Sequence, residues 1–211
     1  MRIIAGKARG RRLSVPPGRG TRPSSDRMRE GLFSALAATE GDLTGRRFLD
    51  LYAGSGAVGI EAWSRGADHV LAVEQDQRAA RVIRRNIETV GADGAVAVRA
   101  CTVDRLATTK PTGQPYDIVF ADPPYEVAAG HVVDVLTALH VRGWFGRDAL
   151  LVVERASRKD FTWPEWATPS KSRDYGEGTL WYARAVARPT PDAAGATDHP
   201  PAPPPDLPIE R

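Results

Sequence analysis

The chain has 211 residues, 42% hydrophobic and 26% charged, with a net charge of +3, a size that supports one substantial core with short appendages rather than two large domains. No run of about 18 apolar residues is present to span a bilayer, and the opening Met1-Arg2-Ile3-Ile4 lacks an apolar leader, so no membrane partner and a cytoplasmic location are expected. Cys101 is the single cysteine and His69, His131, His140 and His199 lack ligand spacing, which excludes an intrachain disulfide and leaves no metal expected.

The charge is unevenly placed. Residues 1–29 hold nine Lys or Arg and one acid, Asp26, a net of +8, so the rest of the chain carries −5. A basic arm of this kind suits a phosphate backbone, because each cation that neutralises a phosphate releases condensed counterions. Within it, Arg2 to Gly6 and Arg12 to Val15 flank a Gly-rich basic turn and are expected to form a small hairpin. Ser24 or Ser25 then caps a helix with Met28, Leu32, Ala35 and Leu36 at helical spacing, ending near Ala38.

From Arg47 onward, short apolar runs alternate with amphipathic helices, the pattern of parallel βαβ units. Strand Phe48 to Tyr52 leads through a glycine turn, Ala53 to Gly56, into a helix that carries Ile60, Ala62 and Trp63 and stops at Gly66. Strand His69 to Glu74 follows. Asp76 caps a helix that turns Ala79, Ile83, Ile87 and Val90 inward and ends at Gly91. Its Arg81, Arg84, Arg85 and Glu88 face water and read as a solvated face rather than a binding site. Further strands are Val96 to Arg99, Tyr116 to Ala121 and Ala149 to Glu154, with a helix through Val132, Val135, Leu136 and Leu139 between the last two. Lys171 to Tyr175 and Thr179 to Val186 surround Gly176-Glu177-Gly178 as a hairpin.

The expected fold is α/β: a doubly wound, mostly parallel, seven-stranded Rossmann-like sheet closed by an antiparallel hairpin, with a small N-terminal hairpin and helix. Residues 1–40 form the basic extension and 41–187 the catalytic domain. Residues 188–211 hold eight prolines and no aromatic residue, and are expected to be disordered.

Two motifs carry chemistry. Asp50-Leu51-Tyr52-Ala53-Gly54-Ser55-Gly56-Ala57-Val58-Gly59 joins a strand to a helix, and its glycines let backbone approach a ligand closely. Gly54 to Gly59 also fits the dinucleotide fingerprint, with Glu74 where a ribose-binding acid belongs, so glycine spacing leaves two cofactors open. Asp50 discriminates: a carboxylate there repels a pyrophosphate, whereas S-adenosylmethionine has no phosphate and carries an ammonium and a sulfonium. Asp122-Pro123-Pro124-Tyr125 follows a buried strand and so sits at the carboxyl end of the sheet. An aromatic amine is a poor nucleophile whose two N–H groups need fixed acceptors. The Asp122 carboxylate and Pro123 carbonyl can supply them, Pro123 and Pro124 fix the backbone, and Tyr125 offers a stacking ring. These motifs point to methyl transfer onto an exocyclic amino nitrogen of a base.

The same residues, with Arg2-Ile3-Ile4-Ala5-Gly6-Lys7, Gly10-Arg11, Thr21-Arg22-Pro23-Ser24, Asp26-Arg27, Arg29-Glu30 and Tyr175-Gly176, resemble the RsmD family, bacterial methyltransferases acting on guanine N2 of 16S ribosomal RNA. The resemblance spans residues 1–187. It implies cofactor contacts from Asp50, Tyr52, Gly54, Gly56, Gly59 and Glu74, and catalysis at Asp122, Pro123, Pro124 and Tyr125. It also implies an RNA-facing set of Arg2, Lys7, Arg9, Arg11, Arg12, Arg22, Arg27 and Arg29. Ribosomal RNA is the implied partner, within a small-subunit assembly particle, and the enzyme is expected to be a monomer. One departure stands out: where methyltransferases usually place an acid after the third strand, this chain has Ala100-Cys101-Thr102, so Cys101 and Thr102, or a backbone group, take that cofactor position. A DNA adenine N6 methyltransferase would share the Asp-Pro-Pro-Tyr geometry. A nicotinamide-dependent oxidoreductase would leave Asp50, Asp122 to Tyr125 and the terminal hairpin unexplained, and a non-catalytic RNA-binding module would leave Asp122 without a role.

Overall fold

A computed structural model describes residues 1–16, 26–157 and 159–186. Arg22 and the Pro-rich stretch after residue 187 therefore lie outside the described residues. The elements are α1 (Asp26–Glu40), β1 (Arg47–Leu51), α2 (Ala57–Ser64), β2 (His69–Val73), α3 (Gln77–Val90), β3 (Val96–Arg99), α4 (Val103–Ala107), β4 (Tyr116–Ala121), α5 (Ala129–Val141), β5 (Phe145–Ala156), β6 (Ala167–Tyr175) and β7 (Gly178–Ala185).

Seven strands form one sheet in the order β3-β2-β1-β4-β5-β7-β6. The first five are parallel, and β7 joins β5 and β6 antiparallel. Strand alternation divides the core into two. Phe48, Val70, Ala72, Ile118, Phe120, Leu150 and Val152 pack beneath α1, α2 and α3, while Leu49, Leu71, Val73, Val119, Leu151 and Val153 pack against α4 and α5. Being covered on both sides, the central strands are apolar at nearly every position. Strand order reverses between β1 and β4, and the crevice at such a reversal, beyond the carboxyl ends of the strands, is where open α/β sheets bind ligands.

Several elements differ from the sequence reading for local reasons. The N-terminal hairpin forms one antiparallel bridge, Arg2 to Arg12, with the Ile3, Gly10 and Leu13 amides donating to the carbonyls of Arg11, Ile3 and Met1, and no regular strand. Helix α4 is a five-residue turn capped by Thr102, too short for a periodic signal. Strand β5 begins at Phe145, four residues before the apolar run, across a register shift in its pairing with β4. Asp148, at φ +60°, lies in that irregular stretch.

The arm docks through buried polar groups rather than through strand pairing. Glu61, fully buried and the one charged residue of α2, accepts the amides of Ile4 and Ala5 at 2.8 and 2.9 Å and the Arg65 Nε–H at 2.7 Å. Arg29, also fully buried, donates to the Arg2 carbonyl at 2.7 Å and to Asp26 at 2.8 Å, with its Nε 3.8 Å from Glu61. On α3, Asn86 bridges Ser14 and Ser55 at 2.8–3.0 Å.

Candidate active site

The glycine turn after β1 is built from carboxylates that bind backbone. Asp50 is buried beneath it and accepts the Gly59 amide at 2.9 Å. Glu74, at the end of β2, accepts Gly54 N–H at 2.8 Å with one oxygen and Asp76 N–H at 2.7 Å with the other, tying the turn to the start of α3. Asp76 in turn caps α3 through the amides of Arg78 and Ala79. Gly54, at φ +58°, has open space within 4 Å of where a Cβ would project, a cradle for a ligand at the turn. At Gly56 and Gly59 packing also demands glycine: a Cβ on the former would meet Ile83 at 2.8 Å, and on the latter Val70 at 2.9 Å.

Asp122 to Tyr125 leave β4 directly across from this turn, with the Asp122 amide 3.4 Å from the Leu51 carbonyl. The three acids are electrostatically coupled. Burial pushes the Asp50 carboxyl up to about 8, and the charges of Asp122 and Glu74 push the same way, against the Gly59 hydrogen bond. This set of acids fits S-adenosylmethionine: it favours an ammonium and a sulfonium and opposes the pyrophosphate of a dinucleotide.

Two basic residues that sequence reasoning missed hold the loop after Asp122. Arg155, 2% exposed near the end of β5, donates through Nη2 to the Val127 carbonyl at 2.7 Å. Lys159 donates to the Tyr125 carbonyl at 2.9 Å. The Arg155 charge is felt by Tyr52 and Asp122, and burial lowers its basicity. Tyr52 adopts φ +62°, rare for a bulky side chain. Burial, with Asp104 adding, pushes its phenol up to about 12.

Of the other sequence-derived residues, Thr102 uses its hydroxyl to cap α4, accepting the Arg105 amide at 3.1 Å, and Cys101 is partly buried beside it. Arg2, Lys7, Arg9, Arg11, Arg12 and Arg27 are exposed, with the Lys7 ammonium 4.2 Å over the Trp63 ring. Arg29 is the exception among the described arginines of the arm. It faces the core of the α1 packing and is a structural tie, not an RNA-facing group. Among the described residues no cluster of three His, Cys, Asp or Glu could hold a metal, and no helix is long and apolar enough to cross a membrane.

A family model described as Conserved hypothetical protein 95 matches residues 1–184. Ribosomal RNA small subunit methyltransferase D of Escherichia coli strain K12 is 38% identical over 154 residues, covering 73% of this chain and 74% of that protein. The solved structure of yhhF from Escherichia coli superposes with a TM-score of 0.76 at 32% identity, over 89% of this chain and 99% of that chain. An RNA methyltransferase from Salinibacter ruber, solved in complex with S-adenosyl-L-homocysteine, shares the fold with a TM-score of 0.57 at 15% identity, over 77% of this chain and 95% of that one.

Proposed function

We propose that this chain, which belongs to the RsmD family of ribosomal RNA small subunit methyltransferases, transfers a methyl group from S-adenosylmethionine to the exocyclic N2 of a guanine in 16S ribosomal RNA. The observation that carries this reading is the meeting of the acid-lined glycine turn with the Asp122 to Tyr125 loop at the reversal point of the sheet.

S-adenosylmethionine, when bound, supplies an electrophilic methyl group. Asp50 and Glu74 shape the turn that receives it, and the Glu74 charge, joined by Asp50 as it ionises, favours its cationic end. Asp122 and the Pro123 carbonyl accept the two hydrogens of the guanine amine, which turns its lone pair out of conjugation and toward the methyl group. The Asp122 carboxylate is placed to take the proton released by the methylated amine. Tyr125 stacks on the base, and Lys159 and Arg155 keep the loop from drifting by holding the carbonyls of Tyr125 and Val127. Catalysis is then mainly orientation, for which effective molarities reach about 10⁵ M and above. The basic arm beside the catalytic domain suits recognition of a folded small-subunit assembly particle by shape, the enzyme acting as a monomer in the cytoplasm.

The test is transfer of labelled methyl to small-subunit ribosomal RNA, naked and in particles, from cells lacking this enzyme, followed by nucleoside analysis. N2-methylguanosine made by the wild-type protein and reduced by about 10³-fold or more in Asp122→Ala supports the assignment. N6-methyladenosine, or label entering DNA alone, overturns it.

A further inference from the structure

The outer face of α3, read from sequence as a solvated surface, joins the N-terminal arm in three dimensions. Arg78, Arg81 and Arg85 recur at spacings of three and four residues, so they form one stripe along the helix opposite the buried Ala79, Ala80, Ile83, Ile87 and Val90. At a rise of about 1.5 Å per residue, successive arginines climb about 4.5 and 6 Å. The stripe does not stop with the helix. Four residues beyond Arg85, the carbonyl of Thr89 accepts Arg11 Nη1 at 2.9 Å, which sets an exposed arginine of the arm in line with the other three. Arg84 of α3 and, beside Arg11 in the sequence of the arm, Arg9 and Arg12 are also exposed. None of the α3 arginines forms a salt bridge among the described residues. The opposite end of the stripe is at the cofactor turn, because the Arg78 amide is bound by Asp76, which Glu74 also holds.

We infer that the stripe Arg78, Arg81, Arg85 and Arg11 is a phosphate-binding track that guides one RNA strand along α3 from the arm to the mouth of the active site. Arginine forks bind phosphate oxygens in pairs, and such contacts position a nucleic-acid strand without reading its sequence. The inference rests on the RNA substrate proposed above and extends the binding surface from the arm onto the catalytic domain.

The test compares full-length wild-type protein with the triple variant Arg78→Gln, Arg81→Gln, Arg85→Gln. Binding of a small-subunit ribosomal RNA fragment is followed by fluorescence anisotropy from about 0.05 to 0.5 M salt. Loss of three phosphate contacts flattens the slope of log affinity against log salt by about 2, since each contributes about 0.7 on single-stranded RNA. That corresponds to affinity roughly 100-fold weaker near 0.1 M salt. S-adenosylmethionine affinity by calorimetry stays unchanged, and the corresponding Lys triple variant keeps the wild-type slope. A control pair at the far end of the molecule, Arg142→Gln with Arg147→Gln, also leaves it in place. An unchanged slope in the Gln triple variant, or an equal loss in the control pair, overturns the track. A wild-type protein that binds RNA through the stripe but makes no N2-methylguanosine would overturn the base assignment and leave the track standing.

Discussion

Replacing Glu61 by alanine tests the buried carboxylate among the groups that hold the arm to the catalytic domain. The carboxylate is fully buried and satisfies the amides of Ile4 and Ala5 and the Nε–H of Arg65, while its charge faces buried Arg29. Glu61→Ala leaves those donors unanswered and leaves buried Arg29 with Asp26 as its one remaining carboxylate, and breaking a buried pair from one side costs about 3–5 kcal/mol. For a domain of this size each kcal/mol moves the melting temperature by about 2–4 °C, so the variant should melt about 6–20 °C below wild type. Glu61→Gln keeps the shape and one acceptor and should lose about half as much. Thermal unfolding followed by circular dichroism gives the first number. Amide hydrogen exchange adds a local readout: Ile4 and Ala5 should lose protection in both variants. A loss below about 1 kcal/mol with those amides still protected would refute the view that Glu61 is what fastens the arm.

Asp50 makes cofactor binding and stability depend on pH. Its folded pKa of about 8 lies above its unfolded value of 3.8, so between them the folded state holds the extra proton. Its contribution to stability is present in full below about pH 4 and is lost as pH rises through about 8. A cationic cofactor favours the ionised carboxylate, so binding should release a proton near pH 7 and tighten toward pH 8. Calorimetry in two buffers of different ionisation enthalpy measures that proton, and a buffer-independent binding heat would sink the idea. Arg155→Ala should loosen the loop from Asp122 to Val127 and lower kcat by about 10- to 100-fold with cofactor affinity unchanged, while Arg155→Lys recovers part of the loss. A fall in cofactor affinity matching the fall in kcat would instead mean a general structural role.

The legible parts of the molecule were those whose signals are local. Asp50 to Gly59 and Asp122 to Tyr125 are contiguous, and each follows a strand buried on both faces, so motif and position were visible together. Helix α3 declared itself through a clean inward face and matched caps at Asp76 and Gly91. What escaped is non-local or compositional. Arg155 and Lys159 reach the catalytic loop from about 30 residues downstream, a contact no spacing rule encodes. Arg29 was submerged among the many cations of the arm, although it shares the inward face of α1 with Leu32, Phe33 and Leu36. Glu61 carried a readable clue, being the single charged residue of a helix buried at every position. The arginines of α3 looked solvated because their companion, Arg11, lies 78 residues from its contact at Thr89.

The two outer strands also determine how copies of the molecule meet one another. β3 is only four residues long and ends in Arg99, while β6 is mostly exposed, shifts register beside Pro169 and carries Lys171 and Arg173. Open strand borders invite another chain to continue the hydrogen-bond ladder, and shortness, proline and cations are the features that discourage it. At the concentrations of a growing cell, the sheet is therefore guarded at both flanks against self-templating. Collisions between copies should end in separation.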